Sequence, residues 1–217
     1  MEIFDFLSDI FGEEQTHEFE FNNGSDEFNS IHISDNDFTE AIMNAPNLSL
    51  EHFSELVDNQ NIDSISAHLK GLSGNIIAEK YFEELGADVR GEILVEDGRV
   101  DLLVSPHDSI ELNQITLDGE NIILEKNYLS DEFTVEIKTY TKNSFLFGFD
   151  SITNQVTDGA ELSNHNYLGV TEDFLELNYE QQTEIIESIE NSGGSIVLLP
   201  YSSSSIDVFI NNILTNY

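Results

Sequence analysis

A lysine follows a glutamate by two positions in the segment FTVEIKTY, where Ile137 separates Glu136 from Lys138. Side chains repeat every two residues along a strand, so this spacing predicts that the carboxylate and the ammonium share one face. The other face would carry Phe133, Val135 and Ile137. A lysine set into an apolar strand needs a charged partner or a chemical role. Together, the two side chains could help to bind a divalent cation and to offset negative charge on a phosphate.

Two further carboxylates are candidates for the same site. Asp101 lies in the apolar segment RVDLLV, and Glu79 lies among apolar residues of a helical pattern. If Asp101 and Glu136 lie on adjacent strands, three carboxylates and a lysine converge at one sheet edge. Mg²⁺ prefers hard oxygen ligands and is held by one or two carboxylates together with substrate phosphate. The sequence therefore predicts a Mg²⁺ site, with Mn²⁺ as a substitute, formed by Asp101, Glu136 and Glu79.

Each candidate also has a structural interpretation. Glu136 and Lys138 can form an ion pair on an edge strand, while Asp101 and Glu79 can be solvated acids of a hairpin and a helix. An acid two residues before a lysine is expected by chance in a chain this rich in acids. The histidines show no spacing typical of metal ligands, which favours structural roles for them.

The elements that would position these residues belong to a domain predicted over residues 63–217. Helix and strand patterns alternate there in the order α-β-β-(hairpin)-β-α-β-α-β-α. The first helix should end at Gly86, an inserted hairpin should turn at 118–119, and Asn178 with Gln181 forms a capping-box pattern. Strands alternating with helices predict an α/β fold with a mixed or parallel sheet between helices.

The preceding region, residues 1–62, is acidic and rich in phenylalanine. Its patterns predict helices over 2–11 and 49–57 and short strands at 17–23 and 29–35. We expect a small α+β region that contacts a protein partner or a second copy of the chain.

These segments resemble the PD-(D/E)xK nuclease superfamily, which includes restriction endonucleases and archaeal junction resolvases. GNIIAEKYFEELG resembles the leading helix with its acid, here Glu79, and GRVDLLV resembles the metal-binding aspartate strand, here Asp101. FTVEIKT matches the acid-x-lysine signature with Glu136 and Lys138. Many members carry a glutamine on the next helix, and Gln155 stands where that residue would fall.

The resemblance covers residues 71–171 and implies a restriction-endonuclease-like mixed central sheet flanked by helices. It also implies Mg²⁺-dependent hydrolysis of DNA phosphodiester bonds in defence, repair or recombination, with Lys138, Glu79 and Gln155 as catalytic residues. The sequence departs from the family in three respects. The interval from Asp101 to Glu136 is long because of the inserted hairpin. Val100 occupies the position of the proline that gives the family its name, and the basic residues that would grasp the substrate are nearly absent.

The net charge of -36, from 7 basic and 43 acidic residues, opposes binding to nucleic acid. One interpretation is adaptation to molar salt, where the Debye length is about 3 Å. Another is a noncatalytic, nuclease-like acidic protein that mimics DNA or inhibits a basic partner. A third is an acidic protein with a locally neutral site, and a toxin-like nuclease controlled by a partner is also compatible with the sequence.

Further functions are excluded or disfavoured by composition. The chain has no cysteine, which excludes disulfides, thiol catalysis and thiolate metal sites. The acidic N-terminus lacks the basic region of a secretory signal, and no apolar run approaches the length of about 18 residues that a membrane span needs. We therefore expect a cytoplasmic location. The sequence leaves open the form of the nucleic acid substrate and whether the protein is a homodimer.

Overall fold

The computed structural model describes residues 16–21, 30–44, 62–96, 98–139 and 149–215 of the 217-residue chain. The chain divides into two compact units, Met1–Lys80 with Ser204–Tyr217, and Tyr81–Ser203. This division falls inside a helix, whereas the sequence suggested a boundary near residue 62, which stays a prediction. The helices predicted over 2–11 and 49–57 lie outside the described residues.

The second unit contains five consecutive strands, after which helices and strands alternate. In chain order the elements are β1 (Thr16–Glu20), β2 (Ser30–Ser34), α1 (Asp35–Asn44), α2 (Ile62–Glu84), β3 (Ala87–Leu94), β4 (Arg99–Pro106), β5 (Ile110–Asp118), β6 (Asn121–Leu129), β7 (Phe133–Lys138), α3 (Phe149–Asp158), β8 (Asn166–Val170), α4 (Tyr179–Asn191), β9 (Ser195–Leu198) and α5 (Ser203–Thr215). Two short 3₁₀ helices follow α3 and β8. The order of elements predicted after residue 62 is confirmed.

The first unit contains the two short strands predicted from the N-terminal region. β1 and β2 are antiparallel and form a two-stranded sheet. Apolar residues of this sheet are buried, and the ring of Phe19 meets that of Phe209 edge to face, with ring centroids 5.6 Å apart. Phe38 stacks on Phe209 with centroids 6.0 Å apart. Aromatic packing therefore supplies a core for this small unit.

The second unit is built on a seven-stranded sheet in the order β3-β4-β7-β8-β9-β5-β6. β7 and β9 pair with β8 in parallel, and the other neighbours are antiparallel. The predicted α/β class with a mixed sheet flanked by helices is therefore confirmed. The β5–β6 hairpin belongs to this main sheet rather than forming a separate insertion, because Gln114 and Ile115 of β5 pair with Val197 and Ile196 of β9.

β7 carries Glu136 and Lys138 through the interior of this sheet, between β4 and β8. β7 is therefore not the edge strand that the structural interpretation of Glu136 and Lys138 assumed, and all six of its residues are buried because both faces are covered. On one face, Phe133 packs against Phe82 at the end of α2, with ring centroids 5.6 Å apart. On the other face, Val156 of α3 joins a core that includes residues of β8 and α4.

The ends of the helices follow their predicted signals. Gly86, which terminates α2, has a φ of 89°, a conformation that glycine adopts at little cost. Asn178 and Gln181 form the predicted capping box at the start of α4, with reciprocal hydrogen bonds of 3.0 and 3.2 Å. Among the described helices, none is long and apolar enough to cross a membrane.

Candidate active site

Asp101 and Glu136 lie opposite each other on neighbouring strands. β4 and β7 run antiparallel with Leu102 opposite Val135, so the next positions along the register are Asp101 and Glu136. Residues opposite each other in an antiparallel pair share a face of the sheet. Asp101 Oδ2 also accepts a hydrogen bond of 2.8 Å from the Ile137 backbone N–H. Asp101 is therefore fixed beside Glu136 by its strand and by this hydrogen bond.

Lys138 completes a group of three buried charged side chains. Its Nζ donates a hydrogen bond of 2.5 Å to Glu136 Oε1, as the two-residue spacing on β7 allows. The exposed fractions are 6% for Asp101, 3% for Glu136 and 9% for Lys138. Burial of this kind strengthens the electrostatic interactions among the three groups.

The second carboxylate oxygen of Glu136 has a different environment. Glu136 Oε2 is buried and accepts no hydrogen bond from the described residues, although the protonated carboxyl group can donate to the neighbouring Asp101 carboxylate. The pKa of Glu136 is raised to about 7, first by burial and then by the neighbouring Asp101 carboxylate, while Lys138 opposes both effects. Near neutral pH this carboxyl is therefore balanced between its protonated and ionised forms.

The structure treats the other two predicted residues differently. Gln155 is half-buried on α3, which packs over β4, β7 and β8. Its neighbour Val156 packs with Leu168, which lies opposite Glu136 in the β7–β8 register, so α3 covers the face that carries the site. Glu79 is half-buried on α2 and belongs to the first compact unit. The metal and catalytic roles assigned to Glu79 and Gln155 stay predictions.

Two charged residues that the sequence did not single out lie beside Asp101. Arg99 Nε is 2.8 Å from Glu92 Oε2, and Arg99 Nη2 is 4.0 Å from Asp101 Oδ1. Arg99 precedes Asp101 by two residues on β4, a spacing that could have drawn attention to it. Glu92 has a φ of 55°, and no feature of the sequence predicts a left-handed backbone conformation at this glutamate.

Asp101 and Glu136 supply only some of the oxygen ligands that a hard divalent cation needs. In the described ranges, no three His, Cys, Asp or Glu side chains are arranged as a metal site. Mg²⁺ does not require three, because one or two carboxylates and substrate phosphate commonly hold it. Asp101 and Glu136 supply the carboxylates, and the buried Oε2 lacks a hydrogen-bond donor that would compete with a cation.

Comparisons with known proteins found no match: no family model fits the chain, and no curated protein or solved structure is significantly similar to it.

Proposed function

We propose that this protein is a Mg²⁺-dependent endonuclease that hydrolyses DNA phosphodiester bonds, with a restriction-endonuclease-like fold. The observation that carries the proposal is Glu136 Oε2, a buried carboxylate oxygen beside Asp101 without a hydrogen-bond donor among the described residues. An unsatisfied buried polar atom costs free energy, and such atoms are rare unless they have a role. A cation held between Asp101 and Glu136 would satisfy this oxygen and reduce the repulsion between the carboxylates.

Each of the three central residues has a role in this proposal. Asp101 and Glu136 would hold the ion, which would supply Lewis-acid chemistry at the phosphate and a more acidic water. The Ile137 N–H keeps Asp101 oriented through its hydrogen bond of 2.8 Å. Lys138, held by Glu136, orients the attacking water and offsets negative charge that develops on the phosphate.

The remaining parts of the proposal come from the resemblance of the sequence to PD-(D/E)xK nucleases. Glu79 would contribute to the metal site directly or through water, and Gln155 would act from the helix that covers the site. The proposal extends to a cytoplasmic role in defence, repair or recombination. It also includes a protein partner or second copy bound through residues 1–62.

A second function is favoured by one specific observation, the net charge of -36. A nuclease-like protein without catalysis could use that charge to mimic DNA and occupy a basic partner. The mimic has no use for Lys138, because a buried cation does not add to a negative surface. The charge is also compatible with a nuclease that works in molar salt, where repulsion of the substrate is screened.

The test is nicking of supercoiled plasmid by the whole chain with Mg²⁺ or Mn²⁺, at low and at molar KCl. The proposal expects cleavage that depends on the metal and stops in excess chelator. Cleavage that continues in chelator would contradict the metal site. If no metal supports cleavage at either salt concentration, the noncatalytic function becomes the better explanation.

A further inference from the structure

Arg99 lies at the edge of the candidate metal site, on the same face of β4 as Asp101. Its Nε is 2.8 Å from Glu92 Oε2, while its Nη2 is 4.0 Å from Asp101 Oδ1. The second distance allows an ion pair but is too long for a hydrogen bond. About a quarter of the side chain, 26%, is exposed. Arg99 is thus paired with Glu92 through Nε, in an ion pair whose geometry does not make it a hydrogen bond, and its Nη2 side faces the candidate metal ligands.

Glu92, which holds Arg99, has an unfavourable backbone conformation. Gly91 pairs with Leu102 and Ile93 pairs with Val100, so Glu92 lies opposite Asp101 across β3 and β4. Its φ of 55° makes it the single residue other than glycine with positive φ in the described part of the chain. Such a conformation costs on the order of 1 kcal/mol or more, and it persists where surrounding structure enforces it, often at functional sites.

Arg99 differs from the other basic residues of the second unit in its partners and in its exposure. The second unit has four described lysines and arginines, namely Arg90, Arg99, Lys126 and Lys138. Arg90 and Lys126 form ion pairs with Glu132 and Glu111, and both are mostly exposed. Lys138 donates to Glu136 at the centre of the site.

A phosphodiester approaching a chain of net charge -36 needs a local cation. Arginine suits this purpose because its planar guanidinium presents several N–H donors in a geometry that matches phosphate oxygens. Lysine cannot reproduce this paired geometry.

We propose that Arg99 binds a phosphate of the nucleic acid substrate beside the scissile position, and that Glu92 positions Arg99 for this contact. The inference rests on the proposed nuclease function, since it names the group that holds the substrate at the same site. Glu92 is a positioning residue, because it acts through Arg99 and not on the substrate. Arg99→Gln removes the guanidinium, Arg99→Lys keeps only the charge, and Arg90→Gln is the matched loss of one charge outside the site.

The experiment measures binding separately from cleavage. A short fluorescein-labelled DNA strand is titrated with each variant in Ca²⁺, and its anisotropy gives Kd, while plasmid nicking in Mg²⁺ gives kcat and KM. Arg99→Gln should raise both Kd and KM about tenfold or more, the usual effect of losing a hydrogen bond to a charged group, while kcat changes much less. Arg99→Lys should give Kd and KM values between those of wild type and Arg99→Gln, and Arg90→Gln should match wild type.

A double-variant cycle tests the positioning role. Glu92→Gln should raise Kd, and the combined Glu92→Gln, Arg99→Gln variant should bind no more weakly than Arg99→Gln alone, because Glu92 acts through Arg99. Effects that add in full would overturn the role of Glu92. Equal Kd for Arg99→Gln and Arg90→Gln, or no binding by wild type, would overturn the phosphate contact. If binding follows the expected order but no metal supports cleavage, the phosphate contact stands and the nuclease proposal fails.

Discussion

Two carboxylates of the second unit, Asp173 and Glu136, have opposite environments. Asp173 Oδ2 accepts hydrogen bonds from the Thr171 hydroxyl at 2.8 Å and from the Ser203 backbone N–H at 2.6 Å. Its Oδ1 accepts another from the Ser203 hydroxyl at 2.6 Å. Burial by itself would raise the pKa of Asp173, but these donors outweigh burial and hold the pKa below its usual range.

Glu136 is more deeply buried and receives one hydrogen bond, from Lys138, on one of its two oxygens. Its pKa is raised by burial and then by Asp101. The number of hydrogen-bond donors therefore distinguishes these two acids better than the depth of burial does. Asp173 has the properties of a group that stabilises the fold when ionised, whereas ionised Glu136 costs stability. A costly group of this kind is a candidate for function.

The largest effect is expected for Asp101→Asn. Cleavage should fall about a thousandfold or more, because the variant loses a metal-binding charge at the site. The amide oxygen can still accept from Ile137 N–H, and the repulsion of Glu136 is removed, so the unfolding temperature should be equal or higher. Plasmid nicking and thermal unfolding on one preparation provide the measurement. Asp118→Asn, at the exposed β5–β6 turn, is the control, and loss of cleavage in both variants would argue against a specific site.

Lys138→Ala should reduce cleavage about a hundredfold, equivalent to about 2.7 kcal/mol of transition-state stabilisation. Metal binding should survive, since Asp101 and Glu136 remain, and calorimetric titration with Mn²⁺ would detect it. Lys126→Ala is the matched control, because Lys126 forms an exposed ion pair with Glu111 at 2.7 Å. A Lys138 variant that unfolds early but cuts normally per folded molecule would show a structural ion pair instead.

Asp173→Asn should have the opposite effects to Asp101→Asn, lowering stability and leaving cleavage unchanged. The uncharged amide has one acceptor oxygen where the carboxylate has two, so the Ser203 hydroxyl loses its acceptor and the remaining hydrogen bonds lose their charge assistance. The free energy of unfolding should fall by about 2 kcal/mol, the scale of a lost hydrogen bond to a charged group. Urea denaturation measures this change. Cleavage per folded molecule should stay at the wild-type level, and a slower folded enzyme would break the distinction between the two acids.

Local rules account for what the sequence predicted. The two-residue period of a strand placed Glu136 beside Lys138, and the order of elements followed from hydrophobic patterns, glycine stops and the Asn178 capping box. Long-range pairing was not predictable in this way. The contact of β5 with β9 depends on residues far apart in the chain, such as Ile115 and Ile196.

The same reason applies to the charged residues that were missed. The left-handed φ of Glu92 could not be predicted, because glutamate carries no sequence signal for this backbone conformation. Asp173 is one of 43 acidic residues, and nothing in the sequence indicates that this one accepts hydrogen bonds from Thr171 and Ser203. Arg99 was missed although its spacing from Asp101 was visible in the sequence, because its ion pair with Glu92 joins two strands.

The smallest expected effect is on the pH dependence of stability. Because the folded pKa of Glu136, about 7, lies above its ordinary value of 4.5, the folded protein binds the proton more tightly than the unfolded chain. The resulting stabilisation is complete below the ordinary pKa and is lost as pH rises through about 7. Between pH 5 and pH 8 in chelator, wild type should therefore lose on the order of 1 kcal/mol more unfolding free energy than Glu136→Gln.

Urea denaturation across this pH range provides the measurement, with exposed Glu125→Gln as a control that should follow wild type. Mg²⁺ should reduce the difference, because a cation between Asp101 and Glu136 favours the ionised carboxylate that burial disfavours. Parallel curves for wild type and Glu136→Gln would mean that Glu136 ionises as readily as an exposed acid. The contrast with Asp173 would then disappear, and with it the physical reason for assigning function to the site.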